Sequence, residues 1–127
     1  MNIKTGVDIV YLPRFRTSLK RGGAAFLQRV YLPQELKDKQ SLSSIKQSLS
    51  SIKRTTRLAG IFTSKEAVIK ALDLPAGSWH DIQITHNSKG APRVHLLTSQ
   101  LSHPTSSSLS ISHDGNYVIA HFVVILK

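Results

Sequence analysis

The chain contains no cysteine and no long hydrophobic run. The first absence excludes disulfides and thiolate metal ligands, and it is typical of proteins in a reducing compartment. No apolar stretch approaches the roughly 20 residues that span a bilayer, and the first residues lack the apolar core of a signal peptide. We therefore expect a cytoplasmic protein with no membrane-embedded part, folded as one domain over residues 1–127.

Acidic residues are also scarce, because seven Asp and Glu oppose seventeen Lys and Arg and leave a net charge of +10. This excess favours an anionic partner, such as nucleic acid, an acidic protein, a phosphorylated ligand or a membrane surface. A solvated cationic surface without a specific partner is the alternative. The few aromatic residues are not interleaved with the basic ones, which argues against a surface that stacks nucleic-acid bases.

The first third of the chain predicts a strand followed by short helices. Residues 3–10 are typical of a strand, and Pro13 suits the first turn of a helix. Gly22 and Gly23 interrupt that helix, and residues 24–32 predict a second short one. A seven-residue unit, "SLSSIKQ", then occurs twice in almost identical form, at 41–47 and 48–54. We interpret residues 40–54 as a variable surface helix or loop without chemistry.

Residues 55–73 predict one long helix, because six apolar residues fall on a single face at 100° per residue. They are Leu58, Ile61, Phe62, Val68, Ile69 and Leu72. Gly60 lies inside this helix, where glycine is unfavourable, so we expect a close packing contact there. Two hairpins are predicted next, over 81–97 and 108–126. The fold class is α+β, with an antiparallel sheet packed on one long helix plus short helices.

Three charged residues lie in or beside positions where apolar ones are expected. Asp8 interrupts the first strand, and Lys65 and Glu66 lie in or beside the apolar arc of the long helix. A strand carboxylate and a helix carboxylate can hold one Mg²⁺ while substrate phosphates complete its shell. Asp8 could equally cap a helix or pair with a cation, and Glu66 could pair with Lys70 at i, i+4. The residues permit a phosphoryl-transfer site without requiring one.

Several common catalytic patterns are absent from the sequence. There is no P-loop and no GxGxxG, and the histidines show neither HxxxH nor HExxH spacing. Ser112, His113 and Asp114 do not form a triad, because adjacent strand residues point to opposite faces.

Three motifs in order resemble one family, the holo-[acyl-carrier-protein] synthases, or AcpS-type 4′-phosphopantetheinyl transferases. They are "GVDIV", "RLAGIFTSKEAVIKAL" and "LSISHDGNYVIA". The resemblance implies transfer of phosphopantetheine from coenzyme A to a serine of apo acyl carrier protein, with Mg²⁺ as cofactor, by a homotrimer with sites at subunit interfaces. It implies metal ligation by Asp8 and Glu66, and catalysis by these two residues with Lys70. Gly6 would keep the strand slim where metal and pyrophosphate approach.

The resemblance also implies two binding surfaces. The residues implied to contact coenzyme A are Lys65, Lys70, Gly90, Pro92, Ser112 and His113. Those implied to contact the acidic carrier protein are Arg14, Lys20 and Arg21, a role that would give the positive charge a use. A basic nucleic-acid-binding module without catalysis is the alternative function.

The sequence departs from the family pattern at three positions of the long helix. Ile69 replaces a small serine and Asp73 a glycine, while Ile61 stands where an arginine is frequent. Loss of the serine hydroxyl puts one cofactor hydrogen bond in doubt.

Overall fold

A computed structural model describes residues 1–36, 52–98 and 104–127 of the chain. In order, these residues form β1 (Asn2–Tyr11), α1 (Leu12–Val30), α2 (Pro33–Leu36), α3 (Ile52–Leu72), a 3₁₀ turn (Ser78–Asp81), β2 (Ile82–His86), β3 (Pro92–Leu96), β4 (Pro104–Asp114) and β5 (Tyr117–Leu126). The predicted α+β class is confirmed. Residues 41–51 of the repeated unit lie outside the described residues.

The main sheet has three antiparallel strands in the order β1-β5-β4. Its register places Asp8 opposite Ala120 and His113 opposite Val118. Both predicted hairpins form, but the expectation of one sheet is wrong, because β2 and β3 make a separate two-stranded sheet. The hairpin of β2 and β3 contacts the core through its side chains, since Ile82 and Ile84 are buried.

A glycine breaks α1, as the sequence predicted. Gly23 has φ 53° and ψ −137°, a non-helical conformation in the middle of the helix. Such a positive φ costs glycine little because it has no Cβ. The kink lets the two parts of α1 bury different residues, Leu12, Phe15 and Leu19 before it and Leu27 and Val30 after it.

Helix α3 lies on the inner face of the main sheet and is buried on more than one side. The predicted apolar stripe is mostly confirmed, since Leu58, Ile61, Val68 and Ile69 are buried and Phe62 and Leu72 pack against the core from its edge. Small residues on the same helix, Ala59, Ala67 and Ala71, are buried as well. They allow the helix to approach the sheet closely.

The closest approach is at Gly6 of β1. A Cβ on Gly6 would fall on the main-chain oxygen of Ala67 and 2.8 Å from the nitrogen of Ala71. Gly6 is therefore required because α3 packs directly on it. This corrects the expectation that Gly6 makes room for a metal and pyrophosphate. The expected tight contact at Gly60 is also wrong, since a Cβ there would meet Ile111 at an ordinary 3.7 Å.

The outer face of the main sheet is apolar and exposed. Ile3, Val7 and Ile9 of β1 are 61%, 51% and 60% exposed, and Tyr117 and Ile119 of β5 extend the same face. In register with them, β4 presents only polar residues, Ser108, Ser110 and Ser112 among them. Among the described residues, none of the helices is long and apolar enough to cross a membrane.

Candidate active site

The junction of β1 and α3 brings Asp8 and Lys70 together. The Lys70 ammonium donates to Asp8 Oδ1 over 3.0 Å and to the carbonyl of Val7 over 3.1 Å. The Asp8 side chain is 17% exposed and that of Lys70 is 55% exposed, so the pair lies at the surface. The carboxylate that interrupts the strand therefore already has a cation beside it.

Glu66 lies one turn before Lys70 on the same helix. Its Oε1 accepts a hydrogen bond from Trp79 Nε1 over 3.0 Å. Lys70 makes its ion pair with Asp8, so the i, i+4 pair with Glu66 is not what the structure shows. Asp8 and Lys70 thus pair where strand and helix meet, and Glu66 lies one turn away along the same helix.

Lys65 points the other way, into the interior. It is 0% exposed, and its ammonium donates to Glu35 Oε1 at 2.6 Å, the Val30 carbonyl at 2.9 Å and the Trp79 carbonyl at 3.1 Å. Burial lowers the pKa of Lys65, and its hydrogen bond and charge interaction with Glu35 oppose that shift. This geometry does not fit the expected contact between Lys65 and the cofactor, because all three ammonium donors are used inside the protein.

Glu35 and Trp79 are the residues that the sequence interpretation missed. Glu35 is buried and accepts from the main-chain N–H of Leu32 and of Ile84, both over 2.8 Å, in addition to Lys65. A lone acidic residue in a short helix and the only tryptophan of the chain were the available signals. Neither spacing nor periodicity relates them to the motif on α3.

The carboxylates of the junction fit a hard divalent cation. In the described ranges no group of three or more His, Cys, Asp or Glu side chains could hold a metal ion. A magnesium ion bound with a pyrophosphate needs fewer, since one or two carboxylates suffice when phosphates and waters supply the other oxygens. Asp8 and Glu66 are oxygen donors of this kind, and the ammonium on Asp8 shows that the position accepts positive charge.

A second feature is a cleft of about 630 Å³ between α3 and the two hairpins. Its lining residues include Lys53, Arg57, His86, Gly90, Pro92 and His113. Three of these were predicted to contact the cofactor, and the basic members suit an anionic ligand. Burial and the Arg57 charge lower the pKa of His86, which keeps its imidazole neutral to a lower pH.

Ser112 is separated from this cleft. It lies opposite Ile119 in the register, on the outer face of the sheet, whereas His113 lies on the cleft side. Strand alternation makes this unavoidable for adjacent residues. Only His113 of the predicted pair can contact a ligand in the cleft of its own chain.

The cleft and the carboxylates are at different places along α3. At a rise of about 1.5 Å per residue, Arg57 of the cleft is about 13 Å from Glu66 and Ile61, the lining residue of α3 nearest to it in sequence, is about 8 Å away. The predicted site residues therefore form two groups in one protomer.

The predicted carrier-binding residues are exposed on the first part of α1. Arg14 and Arg21 are seven residues apart and share a helix face, while Lys20 lies about 120° around the axis. The helix buries Phe15 and Leu19 on its other side. Two of the three cations thus form one basic face.

Comparison with known proteins agrees with this architecture. The chain matches the 4′-phosphopantetheinyl transferase superfamily profile over residues 4–121. Holo-[acyl-carrier-protein] synthase of Chlorobaculum parvum is 36% identical over 125 residues, covering 96% of this chain and 97% of the relative. The Helicobacter pylori holo-[acyl-carrier-protein] synthase in complex with coenzyme A is 32% identical, with a TM-score of 0.73 over 97% of this chain and 99% of that one.

A third relative, holo-[acyl-carrier-protein] synthase of Neisseria meningitidis, is similar in structure with a TM-score of 0.74 at 31% identity, over 95% of this chain and 96% of that one. The chain belongs to the 4′-phosphopantetheinyl transferase superfamily. Within it, the relatives in both sequence and structure are holo-[acyl-carrier-protein] synthases, which confirms the resemblance found in the three motifs.

Proposed function

We propose that this chain transfers the 4′-phosphopantetheine group of coenzyme A to a serine of apo acyl carrier protein, giving holo carrier protein and adenosine 3′,5′-bisphosphate. The observation that carries the proposal is the ion pair of Asp8 and Lys70, one helical turn from Glu66, in a chain whose relatives are holo-[acyl-carrier-protein] synthases. The serine oxygen attacks the β-phosphorus of the pyrophosphate, and the bond to the leaving bisphosphate breaks. The alternative of a nucleic-acid-binding module finds no support in these relatives.

Asp8 and Glu66 would hold a magnesium ion in this reaction. When bound, Mg²⁺ would neutralise charge on the pyrophosphate and orient it for attack. Lys70, whose ammonium is half exposed beside Asp8, would place a second positive charge on the phosphate oxygens as negative charge develops. Glu66, or a water held beside it, would take the proton from the serine hydroxyl.

Coenzyme A would bind in the basic cleft through Gly90, Pro92 and His113, with its pyrophosphate at Asp8, Glu66 and Lys70. Along α3 of one protomer, Arg57 of the cleft lies about 13 Å before Glu66 and Ile61 of the cleft about 8 Å before it. An interface that places the cleft of one copy beside the carboxylates of the next would bring them to one ligand. The exposed apolar face formed by β1 and β5 suits such self-association, and we propose a homotrimer with sites between protomers.

The basic face of α1 would dock the carrier protein. Arg14 and Arg21 project from one side of the helix, and Lys20 flanks them. An acidic partner would meet complementary charge there, which raises the association rate in a salt-dependent way. We place the reaction in the cytoplasm, in the supply of holo carrier protein to fatty-acid synthesis.

The direct test is incubation of the protein with coenzyme A, Mg²⁺ and an apo acyl carrier protein, followed by mass spectrometry of the carrier. The expected result is a gain of the mass of the phosphopantetheine arm. A carrier panel that gains no mass with any divalent metal would refute the function.

The metal assignment is tested with Asp8→Asn and Glu66→Gln, which remove charge and keep shape. We expect each to lower turnover at least about 100-fold, in line with the loss of one electrostatic contact to the reacting group. Asp114→Asn, which changes an exposed carboxylate at the end of β4, is the matched control and should retain activity. Near-normal turnover in either site variant would show that the substituted carboxylate is not a metal ligand.

The interface proposal is tested by mixing two inactive variants, Asp8→Asn and His113→Ala, in one refolded sample. If each site combines the carboxylates of one protomer with the cleft of another, about one site in four becomes wild type in an equal mixture. Activity should rise above that of either variant alone. A mixture no more active than its components would argue for sites within single protomers.

A further inference from the structure

Trp79 connects the buried ion pair to the carboxylate of Glu66. Its indole N–H donates to Glu66 Oε1 over 3.0 Å, and its main-chain carbonyl accepts from Lys65 over 3.1 Å. Lys65 and Glu66 are neighbours on α3, so one residue outside the helix is bonded to two consecutive side chains of the motif. We propose that Trp79 is a positioning residue that fixes the Glu66 carboxylate for the reaction, an inference that rests on the proposed function.

The first support is that both ends of Trp79 are anchored. Its ring packs on Phe62, with centroids 6.2 Å apart, and Phe62 in turn contacts Phe15 and Phe26. Its carbonyl is held by an ammonium that is 0% exposed. An indole held at both its ring and its carbonyl keeps one position, so it can orient the carboxylate that it contacts.

The second support is the rigidity of the group that holds Trp79. Lys65 is fixed by Glu35 at 2.6 Å and by the Val30 carbonyl at 2.9 Å. Glu35 is itself bound by the main-chain N–H of Ile84 over 2.8 Å. The chain of contacts runs from β2 through the ion pair to Trp79, and it ends at a carboxylate on the surface of α3.

The third support is the chemistry of the hydrogen bond. An indole N–H can donate but not accept, so it occupies Oε1 and directs Oε2 toward a cation or a serine hydroxyl. A donor of this kind keeps the carboxylate in one rotamer, which supplies orientation before the substrate binds. Trp79 touches neither substrate nor reacting atoms in this assignment.

The kinetic test compares Trp79→Phe with Phe62→Leu. The first keeps an aromatic ring and removes the N–H, and the second loosens the packing and keeps the N–H. We expect Trp79→Phe to lower kcat about 10-fold or more, since a hydrogen bond to a charged group is lost, with KM for the carrier within about twofold. Phe62→Leu should keep kcat within about threefold of the wild type, because the hydrogen bond from the indole N–H to Glu66 is retained. Equal kcat losses in both variants, or none in Trp79→Phe, would overturn the proposal.

A spectroscopic test does not depend on turnover. The chain has one tryptophan, so a nitrogen-15-labelled sample gives a single indole N–H signal. We expect Glu66→Ala to shift that signal and speed its exchange with solvent. Adding Mg²⁺ with coenzyme A should move the signal in the wild type and leave it unmoved in Glu66→Ala.

An indole signal that is unchanged by Glu66→Ala would overturn the positioning role of Trp79, even if Trp79→Phe failed to fold. The two proposals can also fail separately. A wild-type protein that modifies no carrier would remove the proposed function, whereas the indole signal would still report whether Trp79 holds Glu66.

Discussion

Lys70 donates to Asp8 over 3.0 Å across the junction of α3 and β1. The pair joins residues 62 positions apart in the sequence, and it leaves the lysine side chain 55% exposed. An ammonium held at the surface in this way is available to phosphate oxygens, while its contribution to folding is small because water screens it.

The first prediction concerns Lys70→Met. We expect kcat for carrier modification to fall about 100-fold, because a cation that meets developing charge is lost. The free energy of unfolding in urea should change by less than about 1 kcal/mol, since the pair is half exposed. Lys4→Met, which removes one positive charge from β1, the strand of Asp8, is the control. A similar loss of kcat in both variants would attribute the effect to net charge alone.

The second prediction compares two glycines. Gly6→Ala should destabilise the protein by several kcal/mol or prevent folding, since its Cβ would collide with the main chain at Ala67. Gly60→Ala should stabilise it by up to about 1 kcal/mol, because the Cβ has room at 3.7 Å from Ile111 and alanine favours the helix. Thermal unfolding of both variants measures the difference. Equal melting temperatures would mean that α3 does not press on β1 at Gly6.

The third prediction concerns the buried pair of Lys65 and Glu35, whose side chains are 0% and 1% exposed. Lys65→Met should lower the free energy of unfolding by about 3–5 kcal/mol, because it leaves a buried carboxylate without its cation. Adding Glu35→Gln to that variant should recover part of the loss, since no charge is buried and the amide oxygen still accepts from the N–H of Leu32 or of Ile84. Urea unfolding of the single and double variants tests this, and a double variant weaker than the single one would contradict it.

The fourth prediction concerns pH. Burial raises the pKa of Tyr31 well above its ordinary value of 10.0, and its hydroxyl donates to the Leu58 carbonyl over 2.6 Å. The unfolded state therefore loses this proton first as pH rises. The stabilisation is complete below the ordinary pKa and is lost as pH rises toward the folded-state pKa, by up to about 1.4 kcal/mol per pH unit.

Tyr31→Phe isolates this effect. Below pH of about 10 the variant should be less stable than the wild type by about 1 kcal/mol, the net value of one hydrogen bond. Above that pH the difference should shrink, because only the wild type has the tyrosine proton to lose. Urea unfolding across the alkaline range measures both curves. A constant difference throughout would show that Tyr31 does not titrate differently in the two states.

Local pattern was enough to predict most of the elements. Helical periodicity identified α3 to within a few residues, and turn residues located both hairpins. The Gly23 break in α1 followed from the glycine pair. The split into two sheets could not be predicted, because strand pairing depends on tertiary packing that leaves no periodic signal in β2 or β3.

The candidate site was predictable only where a motif carried it. Asp8, Glu66 and Lys70 were identified by the family resemblance, and the structure pairs Asp8 with Lys70 one helical turn from Glu66. Lys65 was assigned to the ligand through the same resemblance, but it faces inward, since successive helix positions differ by about 100°. Glu35 and Trp79 bond to that motif across 30 and 13 residues, and no single-sequence pattern encodes such contacts.

The contact at Gly6 has a consequence for the variation this enzyme can tolerate. Strand and helix touch there main chain to main chain, so as long as Gly6 and the alanines of α3 are kept, the distance between them is set by backbone atoms. Asp8 lies two residues along the strand, and Glu66 precedes Ala67 on the helix. Apolar residues elsewhere in the core can therefore drift through evolution, or be redesigned for stability, while the spacing of the two carboxylates is preserved.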